Sequence, residues 1–221
     1  MEIKGVIFDM DGLIIDTEKL YQKFWREASG QCGYEMSQQQ ALALRSLDKS
    51  LAKELLREFF GEDYDYQKVH DVRVKLMAEY ISQNGVQAKT GVKELTDYLK
   101  ENDYKIAVAT ATNYNRANEH LTLAGVRDCF ENIICASDLK HGKPFPDVYL
   151  YACKILGLPP ESCVALEDSP NGIKSAHSAG CVPILVPDNC EPDEEAFPYA
   201  YACVESLCDV EGVLERLKNK C

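Results

Sequence analysis

The sequence predicts an α/β protein, a parallel sheet covered by helices with an all-helical module inserted after its first strand. Three observations lead there. Residues 3–8 (IKGVIF) carry one charge and read as a strand buried on both faces, the habit of parallel sheets. Residues 17 to about 86 show only helical periodicity. From residue 88 onward helix and strand patterns alternate, as they do when crossover helices cover a sheet.

Taken in order, Thr17 can cap a helix whose apolar face carries Leu20, Phe24 and Ala28 and which ends at Gly30. Leu47, Leu51, Leu55 and Phe59 recur every four residues, and Val69, Val72, Leu76 and Tyr80 do much the same; both sets read as core stripes. The second half then gives helix 91–101, strand 104–109, helix 114–124, strand 132–136, helix 146–157, strand 162–166, helix 171–179 and strand 182–186. The acidic, proline-bearing stretch 187–198 is expected to be an exposed loop or a loosely packed helix. The resulting division is a core of residues 1–16 and 87–221 and a helical cap of residues 17–86.

Composition narrows the function. With 221 residues, 46% hydrophobic and 27% charged, the chain can bury a sizeable core. A formal charge of −12 repels nucleic acid and anionic membrane surfaces, which are held mainly by Lys and Arg. No apolar run approaches a membrane span and the N-terminus lacks a signal peptide pattern, so a cytoplasmic protein is expected, and a monomer. The 10 cysteines include no C-x-x-C pair and read as reduced thiols; the 4 histidines lack zinc spacing.

In open α/β sheets, ligands bind beyond the carboxyl ends of the strands. The first strand runs into Asp9 and Asp11; the second into Thr110, Ala111, Thr112 and Asn113; the third is followed by a loop with Lys143; the fourth ends in Glu167 and Asp168. Such a set suits a phosphate monoester. Carboxylates can hold magnesium, which needs few protein ligands beside water and phosphate. Hydroxyl and backbone N–H groups leading into a helix can hold phosphate oxygens, and a lysine can offset the charge that builds as a carboxylate approaches a phosphoryl group.

The residues D-x-D-G at 9–12, Thr110, Lys143 within GKPFPD and the acidic pair of ALEDSPNG, in that order, resemble the four motifs of the haloacid dehalogenase superfamily. The helical insert after Asp16-Thr17 is similar to the cap of its β-phosphoglucomutase-like branch, rich in sugar-phosphate phosphatases. The resemblance implies a Rossmann-like core and gives each residue a role. Asp9 would be the nucleophile that becomes an aspartyl phosphate, and Asp11 the acid and base. Magnesium would be held by Asp9, the backbone carbonyl of Asp11 and Asp168, with Glu167 as a further ligand or a support. Thr110 and Lys143 would assist, Asp16 and Thr17 would form the hinge, and the substrate would be a small phosphorylated metabolite.

Plainer readings stand beside these. Asp9 and Asp11 could be turn residues, Thr110 a strand residue, Thr112 or Asn113 an N-cap, and Lys143 a solvated lysine. An EF-hand is excluded, since Gly12 is fourth and Leu20 twelfth in the loop that Asp9 would begin. Dehalogenase chemistry needs neither a metal nor an acid two residues past the nucleophile, so Asp11, Glu167 and Asp168 argue against it. Two alternatives to a phosphatase remain: a β-phosphoglucomutase, and a phosphate-binding protein without turnover. Where the mutases carry a histidine, four residues past the hinge pair, this chain has Tyr21. The stretch LALRSLDKSL also lacks the glycine that mutases tend to carry there, although Arg45 or Lys49 can still meet a phosphate.

Overall fold

The computed structural model describes residues 2–188 and 194–218. Strand β1 (Gly5–Phe8) is buried at all four positions because it lies inside a six-stranded parallel sheet. β2 (Lys105–Thr110) and β4 (Cys163–Glu167) flank it. β3 (Asn132–Cys135) lies outside β2, while β5 (Val182–Leu185) and the short β6 (Ala202–Cys203) extend the sheet beyond β4. This is the expected α/β class. The sequence patterns locate β1 to β5 within a residue or two; β6, at two residues, is too short to show a period of two and was not anticipated.

Register decides what the edge presents. Phe8 pairs with both Val108 and Leu166, and Asp9 N–H donates to the Leu166 carbonyl at 2.9 Å. The residues following β1 and ending β2 and β4 therefore emerge side by side.

Between β1 and β2 the chain forms α1 (Glu18–Gln31), α2 (Gln38–Ala43), α3 (Lys49–Phe60) and α4 (Tyr66–Asn84). Its exit and return are stitched together, with Asp16 N–H donating to the Gln87 carbonyl at 3.0 Å and Lys89 N–H to that of Ile14 at 2.8 Å. These helices have a cluster of their own around Trp25, Leu56, Tyr64 and Val69. Phe24, Met77 and Ile81 instead join the main core.

Three details of the insert depart from the sequence reading. The stripe of α3 is displaced by one residue: Ala52 and Leu56 are buried and Leu51 and Leu55 only half-buried. On α4 the buried line is Tyr66, Val69, Arg73, Met77 and Ile81, so Val72, Leu76 and Tyr80 sit beside it. Arg73 breaks the apolar signal, yet it is buried because its guanidinium lies 5.1 Å from the Tyr21 ring centre and 5.0 Å from that of Trp25. Thr17 stands at the N-cap of α1 but makes no side-chain cap, its hydroxyl being used on Asp11.

Alternation along the strands sends side chains to two faces. Val6, Phe8, Val108, Val164 and Leu166 pack with α5 (Val92–Glu101), α6 (Tyr114–Leu123) and α9 (Val210–Lys218), the last an element not anticipated from sequence. Opposite, Ile7, Ala107, Ala109 and Ala165 meet α7 (Asp147–Leu156) and α8 (Pro170–Ala179). Alanine on three of these strand positions lets α7 approach closely enough to bury Tyr149 completely. Within 187–198, residues 189–193 lie outside the described ones. Asp188 and Ala196 are buried rather than exposed, Asp188 by pairing with Lys89 and Ala196 by packing on Ile173 and Leu185. No described helix is long and apolar enough to cross a membrane.

Candidate active site

β1 ends at Phe8, and the next residue, Asp9, is 3% exposed. Its Oδ1 pairs with Lys143 Nζ, which also lies 2.6 Å from Glu167 Oε1 and donates to the Ala109 carbonyl at 3.1 Å. Glu167, the last residue of β4, receives the Tyr149 hydroxyl on Oε1 and that of Ser169 on Oε2 at 3.3 Å. A buried ammonium, itself tied to a backbone carbonyl, thus stands between two buried carboxylates, of which Glu167 is further held by two hydroxyls. Burial alone would favour the neutral amine, but Asp9 and Glu167 outweigh it and hold Lys143 above the ordinary lysine range. At Asp9 burial pushes the carboxyl up and Lys143 opposes it.

Asp168, one residue further, has no such support. It is 2% exposed and neither carboxylate oxygen has a partner, and Asp9 Oδ2 likewise has none. Burial raises the Asp168 carboxyl well above its ordinary value; Arg45 opposes this, and Asp9, Glu18 and Glu167 add to it. Buried polar atoms are rarely left alone. Ligand oxygens of Asp9, Glu167 and Asp168 lie within 4.8 Å of one another, the spacing of a cation site. Backbone closeness serves the same end: a Cβ on Gly12, at φ +89°, would overlap Asp168, and one on Gly172 would overlap the Glu167 carboxyl.

Asp11 faces the insert. Its Oδ1 accepts from Thr17 Oγ1 at 2.6 Å and its Oδ2 from Thr112 Oγ1 at 2.8 Å. Thr110 is fully buried, and its hydroxyl oxygen accepts from Thr112 N–H at 3.0 Å. Asn113 is exposed and caps α6, accepting from Arg116 N–H at 3.2 Å, and Ala111 beside it is exposed too.

The insert closes over this edge. Asp48 N–H donates to the Lys143 carbonyl and its carboxylate accepts from Gly142 N–H, both at 2.9 Å, and Asn171 Nδ2 donates to the Arg45 carbonyl at 3.1 Å. The two insert cations named from sequence part company. Arg45 acts on Asp168 and Glu18, whereas Lys49 is exposed and turns to Gln67 at 3.5 Å. Glu18, in the first turn of α1, is buried and raised to about 7 by that burial, with Arg45 opposing. Sequence reasoning passed over Tyr149, Glu18, Asp48 and Arg73. The one available signal was Arg73, a cation inside an apolar stripe.

Fold and site together define a class: an α/β enzyme frame that gathers carboxylates and a buried ammonium at the carboxyl edge of a parallel sheet, beneath a helical insert. The chain belongs to the haloacid dehalogenase-like hydrolase family, whose model matches residues 6–186. It is 34% identical to protein CbbY of Rhodobacter capsulatus over 85% of this chain and 86% of that protein. It is 28% identical to a phosphorylated carbohydrates phosphatase of Thermotoga maritima over 96% and 91%. A β-phosphoglucomutase structure from Clostridium difficile has the same fold, with a TM-score of 0.81, 24% identity, and coverage of 99% of this chain and 98% of that one.

Proposed function

We propose that the protein is a magnesium-dependent phosphatase of small phosphorylated metabolites, sugar phosphates foremost, acting through an aspartyl phosphate on Asp9. The observation that carries this is the Lys143-bound Asp9 carboxylate beside the two unpartnered oxygens of Asp168. The relative named as a phosphatase of phosphorylated carbohydrates supports the substrate class.

Each residue then has a task. Lys143 pins one oxygen of Asp9, orients the carboxylate and offsets the negative charge that gathers as it approaches phosphorus. The Asp9–phosphorus bond forms as the ester bond breaks, and Asp11 gives the leaving oxygen its proton. Water then attacks the phosphoryl group while Asp11 takes the proton back. Asp9, Asp168 and the Asp11 backbone carbonyl would hold magnesium, which when bound neutralises phosphoryl charge. Glu167, engaged by Lys143, Tyr149 and Ser169, serves that set from behind. Residues 17–86 act as a cap that excludes bulk water while the phosphoenzyme exists.

Hydrolysis is favoured over mutase chemistry by Tyr21, a half-buried side chain whose phenol pKa is raised further by desolvation, so that it cannot take up a proton near neutrality. With magnesium, β-glucose 1-phosphate and a trace of glucose 1,6-bisphosphate, inorganic phosphate should appear faster than glucose 6-phosphate. Rapid glucose 6-phosphate formation with little phosphate released would make the mutase reading the right one. Failure to hydrolyse any member of a broad panel of phosphate esters would overturn both.

A further inference from the structure

We infer that Cys153 and Cys181 form a dithiol that a hydroperoxide closes to a disulfide, with Cys163 as a third thiol that activates the pair. The inference is independent of the proposed reaction.

The three cysteines come from separate elements and meet on the sheet face covered by α7 and α8. Cys153 stands in the last turn of α7, Cys163 opens β4, and Cys181 is the one residue between Gly180, which ends α8, and β5. Cys163 lies at the amino end of β4 and Glu167 at its carboxyl end, so the thiols sit away from the site described above. All three are free. Cys153 Sγ is 3.6 Å from Cys181 Sγ and is also hydrogen-bonded to Cys163. A disulfide needs about 2 Å between sulfurs, a closure that side-chain rotation can supply.

The arrangement decides which sulfur reacts. As a thiolate, Cys153 can accept from both neighbours, and those two contacts hold it below the ordinary thiol range although burial opposes them. The same contact pushes Cys163 and Cys181 up, so they keep their protons. Cys153 is therefore the nucleophile. Its partner follows from freedom to move. Cys163 is held in β4 between β1 and β5, and a Cβ on Gly5 would lie only 3.0 Å from its sulfur. Cys181, in a single-residue link, is 7% exposed against 1% for Cys153 and 0% for Cys163, which makes it the member nearest solvent.

The chemistry balances with the hydroperoxide as two-electron oxidant. The Cys153 thiolate attacks the terminal peroxide oxygen, the O–O bond breaks, and the departing alkoxide or hydroxide takes up a proton from water, leaving a sulfenic acid. Cys181 sulfur then attacks Cys153 sulfur; the S–S bond forms and the hydroxyl leaves with the Cys181 proton as water. The bond ties α7 to the start of β5.

The test treats the reduced full-length protein with hydrogen peroxide, then denatures it in an alkylating agent and maps the peptides. Trypsin cuts after Lys154 and Lys174, so the three thiols fall on separate peptides. The expected product joins Cys153 to Cys181 and is reversed by dithiothreitol. Cys163→Ala should still form it, about 10-fold more slowly, because one hydrogen-bond donor to the thiolate is gone. In Cys181→Ala the sulfenic acid has lost its partner, and Cys153 should gain a second oxygen instead. The inference would be overturned by a Cys153–Cys163 link, by a sulfinic acid on wild-type Cys153 without any link, or by all three thiols surviving after the exposed Cys203 and Cys208 have been oxidised. An undiminished rate in Cys163→Ala would remove the third thiol from it. Should Cys181→Ala fail to fold, the wild-type map decides alone.

Discussion

The sheet edge and the insert face meet in one site but are built differently. At the edge, Asp9, Lys143, Glu167 and Tyr149 form a closed, fully buried network whose parts are anchored by backbone register and by packing of α7. On the insert, Glu18, Tyr21 and Arg73 stand on helices and Arg45 on the turn between α2 and α3, and Arg45 Nε and Arg73 Nε have no hydrogen-bond partner. The edge is made to hold charges still; the insert is made to arrive. Substitutions should therefore cost chemistry and stability together at the edge, and mostly docking or pH response at the insert.

The largest effect is expected at Asp9. Asp9→Asn keeps the shape but removes the attacking carboxylate, so turnover should fall roughly 10⁴-fold or more, and with one partner of the buried Lys143 neutralised the thermal midpoint should drop without the protein unfolding. Near-normal phosphate release by this variant would end the covalent mechanism.

Lys143→Met comes next, because it strands two carboxylates in a fully buried place. Breaking such a pair costs about 3–5 kcal/mol, measurable by urea denaturation. A loss under about 1 kcal/mol would mean that the edge network is looser than its burial indicates.

Glu18 sharpens the contrast through pH. Its pKa rises from an ordinary 4.5 to about 7 in the fold, so the folded state binds more protons than the unfolded one between those values. Stability from this group is full below about 4.5 and is lost as pH rises through 7, up to about 3 kcal/mol in all. In chelated protein, Glu18→Gln should flatten the decline of urea stability between pH 5 and 8. An unchanged slope would remove Glu18 from the account.

The smallest effect belongs to Asp48, which caps α3 through Ser50 N–H at 2.8 Å and latches the insert to Gly142 at 2.9 Å. Asp48→Ala should cost about 1 kcal/mol. Small-angle scattering should also show more of an open form, an expansion that a cap alone would not produce.

The sequence by itself determined the α/β class, the place of the insert, and the edge residues Asp9, Asp11, Thr110, Lys143, Glu167 and Asp168. The physical reason is that a parallel strand is an uninterrupted apolar run, so the polar residue that follows it marks the edge. Only the tertiary structure decided that Glu167 is bound by Lys143, Tyr149 and Ser169 while Asp168 has no partner, since adjacent carboxylates look alike in a chain. It alone drew Arg45 toward Asp168 and turned Lys49 away, and it buried Arg73 between two rings. Helix residues reach a site through the rotation and packing of the whole helix, and a one-residue displacement of the buried line, as on α3 and α4, is enough to change which side chains arrive.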